Sequence, residues 1–295
     1  MSGSQPACLV LGASSQLGDS LLPRLLSAGY TVHAVSRKAC PQSASAAKIQ
    51  WHMLDLHNPT SWPAAVSLVV HLAPLYMLPI LLRQAPGPLR VVAVSSTSIR
   101  TKRDSPSAAE RQMAQRLLQA EQEINQLCQT NGHRLTILRP TMLYGVGRDA
   151  TIGRMQKFIQ RWGFLPLPAI QTGLRQPVHV DDVTRAILQV MHAPAAFNKV
   201  YELGGRDCLD VQQLAKRIFT DNQKPVRIVF IPIWLLSMAL TLLKVLRPAL
   251  DWSPALLKRA ALDQVVNNQS AIDDFQYAPR PFTGVIYTQT LNKLS

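Results

Sequence analysis

Runs of apolar residues alternate with helical repeats along the chain, and this alternation predicts an α/β fold. The first run, residues 7–11, is short and continuous, which is typical of a buried strand. After Gly12, leucines at helical spacing predict a helix that opens near Gln16. These leucines are Leu17, Leu21, Leu22, Leu25 and Leu26. Gly29 is expected to end the helix before a second strand at 30–35.

Further strands and helices follow in the same alternation. The apolar runs predict strands at 49–56, 67–72, 89–94 and 134–138, and the helical repeats predict helices at 75–83 and 107–129. Strands that alternate with helices form parallel sheets with helices on both faces. The sequence therefore predicts a doubly wound parallel sheet, and from about residue 147 it continues as basic helices and loops.

The first strand-to-helix turn carries a candidate binding motif. Gly12, Ser15 and Gly18 fit the spacing G-x-x-G-x-x-G with the middle glycine replaced by serine. Dinucleotide-binding folds place a pyrophosphate in such a turn, on the backbone N–H groups that open the helix. The cofactor contacts predicted here are Gly12, Ser14, Ser15, Gln16, Leu17 and Gly18. The alternative is an ordinary turn between a strand and a helix.

The ends of the later strands predict the rest of the cofactor site. Arg37 and Lys38 follow the second strand, where an NAD-selective site usually has an acidic residue, so they predict a 2′-phosphate and hence NADP(H). Two solvated loop charges are the alternative. Asp55 could accept from an adenine amino group or cap the turn at His57. Leu56, Leu72, Ala73, Pro74 and Ser95 complete the predicted contacts.

Charge and cysteine content narrow the classes of partner. The formal net charge of +14 favours anionic partners such as nucleotide phosphates, an anionic membrane surface or nucleic acid. The positive charges are scattered without interleaved aromatic residues, so nucleic acid is not expected. The four cysteines form no C-x-x-C pair, which predicts reduced thiols and no metal site. Without a basic N-terminal signal, we expect the cytoplasm or the inner face of a membrane.

Two further stretches have competing interpretations. Residues 228–243 are the most apolar part of the chain but too short to span a bilayer, which takes about 20 residues. They predict either a helix in peripheral membrane contact or a buried or substrate-lining helix. Near His179, the acids Asp181 and Asp182 suggest catalysis or metal binding, but they are better explained as the N-cap of a helix over 183–191.

Four ordered stretches resemble a known family. They are the turn at 12–18, the strand end at 94–97, the loop at 138–145 and the segment at 176–183, and residues 201–205 add a late strand. Together they resemble an extended or atypical short-chain dehydrogenase/reductase of the NAD-dependent epimerase/dehydratase group, over residues 7 to 220. The resemblance implies a Rossmann-like α/β sheet with a small, mostly helical C-terminal lobe. It divides the chain into a nucleotide-binding domain at 1–165 and a substrate lobe at 166–295, interleaved around 176–205.

The resemblance implies a catalytic Ser or Thr, a Tyr and a Lys, and only the first is present. Thr97 or Ser96 matches the residue that orients the substrate oxygen. The tyrosine and lysine positions hold Met113 and Leu117, and no Y-x-x-x-K occurs in the chain. Tyr144 could replace the missing acid, or it could be a packed loop tyrosine.

Substrate recognition also departs from the family pattern. Met142 stands where members that bind sugar nucleotides usually have asparagine, which predicts a more apolar pocket. Arg175 is the basic residue most expected to meet the substrate. The chain is thus predicted to be an oxidoreductase or epimerase-like protein that acts on a hydrophobic or lipid-linked small molecule. The alternative is a non-catalytic nucleotide-binding scaffold or redox sensor.

Overall fold

Strands of the computed structural model form one large parallel sheet and two small ones. The structure describes residues 6–37, 48–59, 62, 64, 66–147, 149, 151–170, 172–238 and 261–285. The strands are β1 (Ala7–Leu11), β2 (Thr31–Ser36), β3 (Ile49–Met53), β4 (Leu68–His71), β5 (Arg90–Val94), β6 (Arg134–Pro140), β7 (Leu143–Tyr144), β8 (Leu165–Pro168), β9 (Val178–His179), β10 (Lys199–Leu203) and β11 (Ile228–Ile231). The seven-stranded sheet has the order β10-β6-β5-β4-β1-β2-β3, and the small sheets pair β11 with β8 and β7 with β9.

Helices connect these strands. They are α1 (Gln16–Ser27), α2 (Leu78–Leu82), α3 (Ser98–Thr101), α4 (Ala108–Thr130), α5 (Ile152–Trp162), α6 (Val180–His192), α7 (Val211–Asp221) and α8 (Gln269–Phe275). Short 3-10 turns lie at Leu75–Met77 and Pro194–Ala196, and residues 233–238 are helical. All neighbouring strands of the large sheet pair in parallel, so the predicted Rossmann-like, doubly wound fold is confirmed.

Two hydrophobic clusters lie on opposite faces of the large sheet. In β1, Cys8 and Val10 face the cluster with α1 and α6, and Leu9 and Leu11 face the cluster with α2 and α4. Successive residues of a strand point to opposite faces, so a strand covered on both sides must be apolar throughout. This explains why the first apolar run has no polar alternation.

A third cluster forms the core of a smaller lobe. It joins α5, β8 and α7 through side chains that include Ile159, Leu167 and Phe219, and it also takes in Tyr144 and Phe282. The cluster draws on residues before and after position 165, where the domain boundary was predicted. That boundary stays a prediction.

The start of α6 corrects one sequence interpretation. The helix begins at Val180, and its N-cap is His179, whose ring Nδ1 accepts from the backbone N–H of Asp181 at 3.2 Å. The predicted cap at Asp181 or Asp182 is therefore wrong. The carboxylate of Asp182 instead accepts from Arg280, from the backbone N–H at 3.0 Å and from Nε at 2.9 Å, and it ties Arg280 to α6.

The apolar stretch 228–243 is not one helix. Residues 228–231 form β11, which pairs with β8, and residues 233–238 are helical. Residues 239–243 lie outside the described part of the chain. Within the described ranges, no helix is both long enough and apolar enough to cross a membrane.

Candidate active site

The order of the large sheet locates the candidate site. From β1 the chain proceeds to β2 and β3 on one side and then returns to β4 on the other side. Open parallel sheets bind ligands outside the carboxyl ends of the strands at such a switch point. The predicted turn at 12–18 and the predicted residues 72–74 are the two segments that leave β1 and β4 at this point.

Two glycines let the turn after β1 pack closely. Gly12 has φ of +76°, and a Cβ built on it would lie 2.6 Å from the backbone nitrogen of Ala73. A Cβ on Gly18 would lie 1.9 Å from the carbonyl oxygen of Ala13. Only glycine satisfies these approaches, because both obstacles include backbone atoms. The turn thus has the close packing that a dinucleotide-binding motif requires.

Serine hydroxyl groups shape the same turn. Ser15 is the N-cap of α1, and its Oγ accepts from the backbone N–H of Gly18 at 3.2 Å. Ser14 is exposed, and its Oγ accepts from Ser36 Oγ at 3.1 Å, which links the turn to the end of β2. Leu17 is buried in the first hydrophobic cluster, so its side chain anchors the helix.

Two polar atoms at this edge of the sheet fit a polar ligand. Eight buried side-chain atoms of the described residues lack a hydrogen-bond partner, and two of them, Gln16 Oε1 and Ser95 Oγ, belong to the segments that follow β1 and β5. Buried polar groups are normally paired, so such atoms call for a partner beyond the described side chains. Together with the glycine packing and the N–H groups that open α1, they fit a bound dinucleotide.

The residues after β2 and β3 are placed as follows. Arg37 is exposed directly after β2, and Lys38 lies outside the described residues. Asp55 Oδ1 accepts from the backbone N–H of His57 at 3.0 Å. This hydrogen bond caps the turn at His57, as in the second of the two interpretations of Asp55. Leu56 is buried in the second cluster. Their contacts with a cofactor stay predictions.

The chain after β4 is held by a buried histidine. His71 Nε2 donates to the carbonyl oxygen of Pro74 at 3.2 Å, and burial lowers the pKa of this histidine from 6.5 to about 4. The ring is therefore neutral near pH 7, and its N–H fixes the path of Leu72, Ala73 and Pro74. Sequence reasoning missed His71, although a lone histidine at the end of an apolar strand was the available signal.

The free energy of unfolding is expected to fall as the pH drops from 6.5 to about 4, by up to about 3 kcal/mol from His71 alone. The unfolded histidine takes up a proton in this range while the folded one stays neutral, so the stabilisation is complete above pH 6.5 and is lost towards acid. Denaturant titrations across this range should show a flatter profile for His71→Leu than for wild type. The exposed His57→Gln is the control, and an unchanged slope in His71→Leu would contradict the assignment.

The predicted catalytic hydroxyl groups lie at the end of β5. Ser96 Oγ donates to Ser98 Oγ at 3.0 Å and accepts from the Ser98 N–H at 3.1 Å. Thr97 precedes α3, and its backbone N–H donates to the carbonyl oxygen of Pro140 at 3.2 Å, which joins the ends of β5 and β6. Ser96 and Thr97 thus lie at the carboxyl end of the large sheet, in the crevice where open parallel sheets bind ligands. Their catalytic roles stay predictions.

The helix α4 holds no proton donor at the two family positions. Met113 is 42% exposed, and Leu117 packs partly against the second cluster. The guanidinium of Arg116, one position away, lies over the ring of Tyr76 at 4.9 Å. A thioether and an isobutyl group cannot exchange a proton, so α4 cannot supply the family's usual acid.

Tyr144 is a buried residue of the lobe. Its hydroxyl accepts from the backbone N–H of Thr283 at 3.3 Å, and its ring contacts His179 edge-on at 5.1 Å between centroids and Phe282 at 4.9 Å. Burial raises the pKa of Tyr144 to about 12, so the phenol is protonated at neutral pH. These contacts match the packed tyrosine considered as its alternative, and its role as an acid stays a prediction.

The two predicted substrate residues, Met142 and Arg175, are held by contacts with neighbouring backbone. Met142 is half-buried against the third cluster, and its carbonyl oxygen accepts from the Val178 N–H at 2.9 Å. Arg175 is buried, and its guanidinium donates to the carbonyl oxygens of Leu174 at 2.9 Å and Leu262 at 2.8 Å. Their contact with substrate stays a prediction. No group of three or more His, Cys, Asp or Glu in the described ranges could hold a metal ion.

Curated relatives match parts of the chain. A mitochondrial NADH dehydrogenase [ubiquinone] 1 alpha subcomplex subunit 9 from Arabidopsis thaliana is 34% identical over 98 residues, which are 33% of this chain and 24% of that protein. A UDP-glucose 4-epimerase from Vibrio cholerae is 22% identical over 116 residues, which are 39% of this chain and 35% of that protein. The matches thus span well under two thirds of these relatives.

Solved structures match the fold over nearly the whole chain. A UDP-glucuronic acid 4-epimerase from Bacillus cereus in complex with UDP-glucuronic acid and NAD aligns with a TM-score of 0.71 at 15% identity, covering 94% of this chain and 95% of that one. A UDP-glucose 4-epimerase from Thermotoga maritima with UDP-glucose aligns with a TM-score of 0.70 at 15% identity, covering 93% and 94%. The family model for the NAD dependent epimerase/dehydratase family matches residues 8–78 and 82–204. The chain therefore belongs to the NAD-dependent epimerase/dehydratase family.

Proposed function

We propose that the chain binds a nicotinamide dinucleotide in the turn between β1 and α1 and uses it as an oxidoreductase or epimerase-like enzyme. The observation that carries the proposal is the close glycine packing of this turn, Gly12 against Ala73 and Gly18 against Ala13. The first N–H groups of a helix have no partner within it, so a pyrophosphate at this turn would accept from those of α1 other than Gly18, whose N–H donates to Ser15 Oγ.

Some residues at this end of the sheet bind the cofactor, and others orient the substrate. The nicotinamide supplies the hydride acceptor or donor. Ser15 caps α1 and can donate its own hydroxyl proton to a phosphate oxygen. Ser96 and Thr97, at the end of β5, orient the oxygen of the substrate. Tyr144 is the candidate acid, and a bound water is the next candidate.

NADPH is expected to bind about tenfold or more tightly than NADH, because a charge-assisted phosphate contact contributes roughly 1.5–3 kcal/mol. Arg37 is exposed at the end of β2, and Lys38 follows it in the sequence. Calorimetric titration with both cofactors measures the ratio, and Arg37→Gln should reduce it. The exposed Arg103→Gln is the control. Equal dissociation constants in the wild type would refute the preference.

For the substrate, we propose a hydrophobic or lipid-linked small molecule, reached in the cytoplasm or at the inner face of a membrane through peripheral contact. Met142 supports this class, because it brings an apolar side chain to the loop after β6 and packs against the lobe core. The names of several relatives point instead to UDP-sugars. A turnover screen should therefore include UDP-glucose beside hydrophobic ketones and alcohols.

A non-catalytic scaffold is the second candidate function. Met113 and Leu117 favour it, because neither can transfer a proton, and the name of the Arabidopsis relative is that of a subunit of a larger assembly. The screen separates the two candidates. In an enzyme, Thr97→Ala or Tyr144→Phe should lower turnover by about 10²–10⁴ at nearly unchanged cofactor affinity. Cofactor binding without turnover of any compound would favour the scaffold.

A further inference from the structure

Exposed apolar side chains are concentrated in one segment of the lobe. Of the 14 large hydrophobic residues that are exposed in the described part of the chain, seven lie between residues 226 and 238. With Trp162 at the end of α5, they form a surface that we call the apolar face. Its main members are Trp162, Val229, Phe230, Trp234, Leu235 and Met238.

The strand β11 is an edge strand of the lobe. Among the described strands it pairs only with β8, and its consecutive residues Val229 and Phe230 are 50% and 48% exposed. Consecutive strand residues point to opposite sides, so each side of β11 carries one exposed apolar side chain, while Ile228 packs against the third cluster. In the helical residues that follow, Trp234 and Met238 are 68% and 59% exposed and stand four residues apart, on the same side.

The end of α5 continues this surface. The carbonyl oxygen of Arg227, just before β11, accepts from the Leu165 N–H at 2.9 Å. Lys224 Nζ donates to the last turn of α5, at the carbonyl oxygens of Ile159 at 3.3 Å and Gln160 at 3.0 Å. Trp162 and β11 therefore belong to adjacent parts of one surface.

Basic residues, without acidic ones, accompany the apolar face in sequence. Residues 151–180 and 222–250 contain no Asp or Glu. Arg161 and Arg227 are exposed, and the Arg161 guanidinium lies over the Trp162 ring at 5.4 Å. Lys157 is exposed one turn before Arg161 on α5, and its Nζ donates to the carbonyl oxygen of Gly147 at 3.2 Å. Apolar and tryptophan side chains with a basic border are the chemistry that binds an anionic lipid surface.

We propose that the apolar face docks the protein onto an anionic lipid bilayer. A symmetric contact with a second copy would bring these basic residues against one another, which disfavours that occupant. This proposal specifies the surface for the peripheral membrane contact of the proposed function. Its benefit to catalysis rests on that function, since docking would bring the candidate site near lipid-linked substrates. Docking itself needs no cofactor, so the two can fail separately.

Flotation of the full chain with lipid vesicles tests the apolar part of the proposal. The double variant Phe230→Ser/Trp234→Ser should bind vesicles of phosphatidylglycerol and phosphatidylcholine in equal parts at least about tenfold more weakly than wild type. The double variant Leu118→Ser/Ile272→Ser, which changes exposed apolar residues of α4 and α8, should bind like wild type. Circular dichroism and the NADPH titration on the same samples report whether the fold and the cofactor site are intact.

A second pair of variants tests the charge. Lys157→Gln/Arg161→Gln should weaken binding to the phosphatidylglycerol vesicles by about 25-fold, since each of the two basic residues near an anionic surface adds about a fivefold gain. Lys48→Gln/Arg103→Gln, with the same change in charge, should not. Pure phosphatidylcholine vesicles should bind wild type weakly. Equal flotation of wild type and both test variants would overturn the proposal. It would also be overturned if sedimentation equilibrium showed a dimer that only Phe230→Ser/Trp234→Ser dissociates, while no variant loses lipid binding.

Discussion

Gly18→Ala is expected to abolish dinucleotide binding, with an affinity loss well beyond tenfold. The new Cβ would lie 1.9 Å from the Ala13 carbonyl oxygen and 2.6 Å from its carbon, and both are backbone atoms. The start of α1 must therefore move away from the turn, and with it the N–H groups that would hold the pyrophosphate. Overpacking of this kind also costs about 1–3 kcal/mol of stability. Gly18→Val should be at least as severe.

The matched control is Gly87→Ala, because a Cβ at Gly87 meets no atom within 4 Å. Calorimetric titration with NADPH gives the affinities, and circular dichroism shows whether each variant is folded. Undiminished NADPH affinity in a folded Gly18→Ala or Gly18→Val protein would place the cofactor elsewhere. Loss of affinity in Gly87→Ala as well would show that the effect is not specific to the turn.

The sheet could be predicted because its signals are local. Strands buried on both faces must be apolar throughout, and each ends where a turn residue such as Gly12 begins the next element. The helix α4 carries its own cap, with Ser107 Oγ accepting from the Glu110 N–H. These features lie within a few residues of one another, so the sequence alone contains them.

The elements that were predicted wrongly depend on distant partners. Aspartate is a common N-cap residue, but the carboxylate of Asp182 binds Arg280, 98 residues away, and His179 caps the helix instead. Residues 228–231 have helical and strand-like features alike, and pairing with β8 decides for a strand. In both cases tertiary contacts decide the structure, and the neighbouring sequence does not indicate those contacts.

The candidate site divides in the same way. The close packing of the turn after β1 could be predicted because its glycines are near one another in sequence and a side chain at either would collide with backbone atoms. Its role in cofactor binding stays a proposal. Tyr144 and Arg175 each have one partner far away in the sequence, Thr283 for Tyr144 and Leu262 for Arg175. Nothing near either residue in the sequence indicates those contacts. Assigning a catalytic role from the sequence therefore meets the same limit as predicting β11.

Arg139→Met is expected to lower the free energy of unfolding by about 3 kcal/mol or more. The Arg139 guanidinium holds Glu121 of α4 through two hydrogen bonds, one of them from Nε at 3.0 Å, and the Glu121 side chain is 6% exposed. Without the arginine, a carboxylate would be left buried and unpaired between α4 and β6. Because β6 leads to Pro140, whose carbonyl accepts from Thr97, the loss should also loosen the end of the crevice.

The same helix offers the control. Glu123 pairs with Arg83, but these side chains are 43% and 58% exposed, so Arg83→Met should cost less than about 1 kcal/mol. Urea titrations of the two variants and of wild type give the comparison directly. Replacing both partners, Arg139→Met with Glu121→Leu, should recover much of the loss, because no charge is then left buried. A double variant as unstable as Arg139→Met alone would show that the cost comes from packing, and that burial of the Glu121 charge is not its cause.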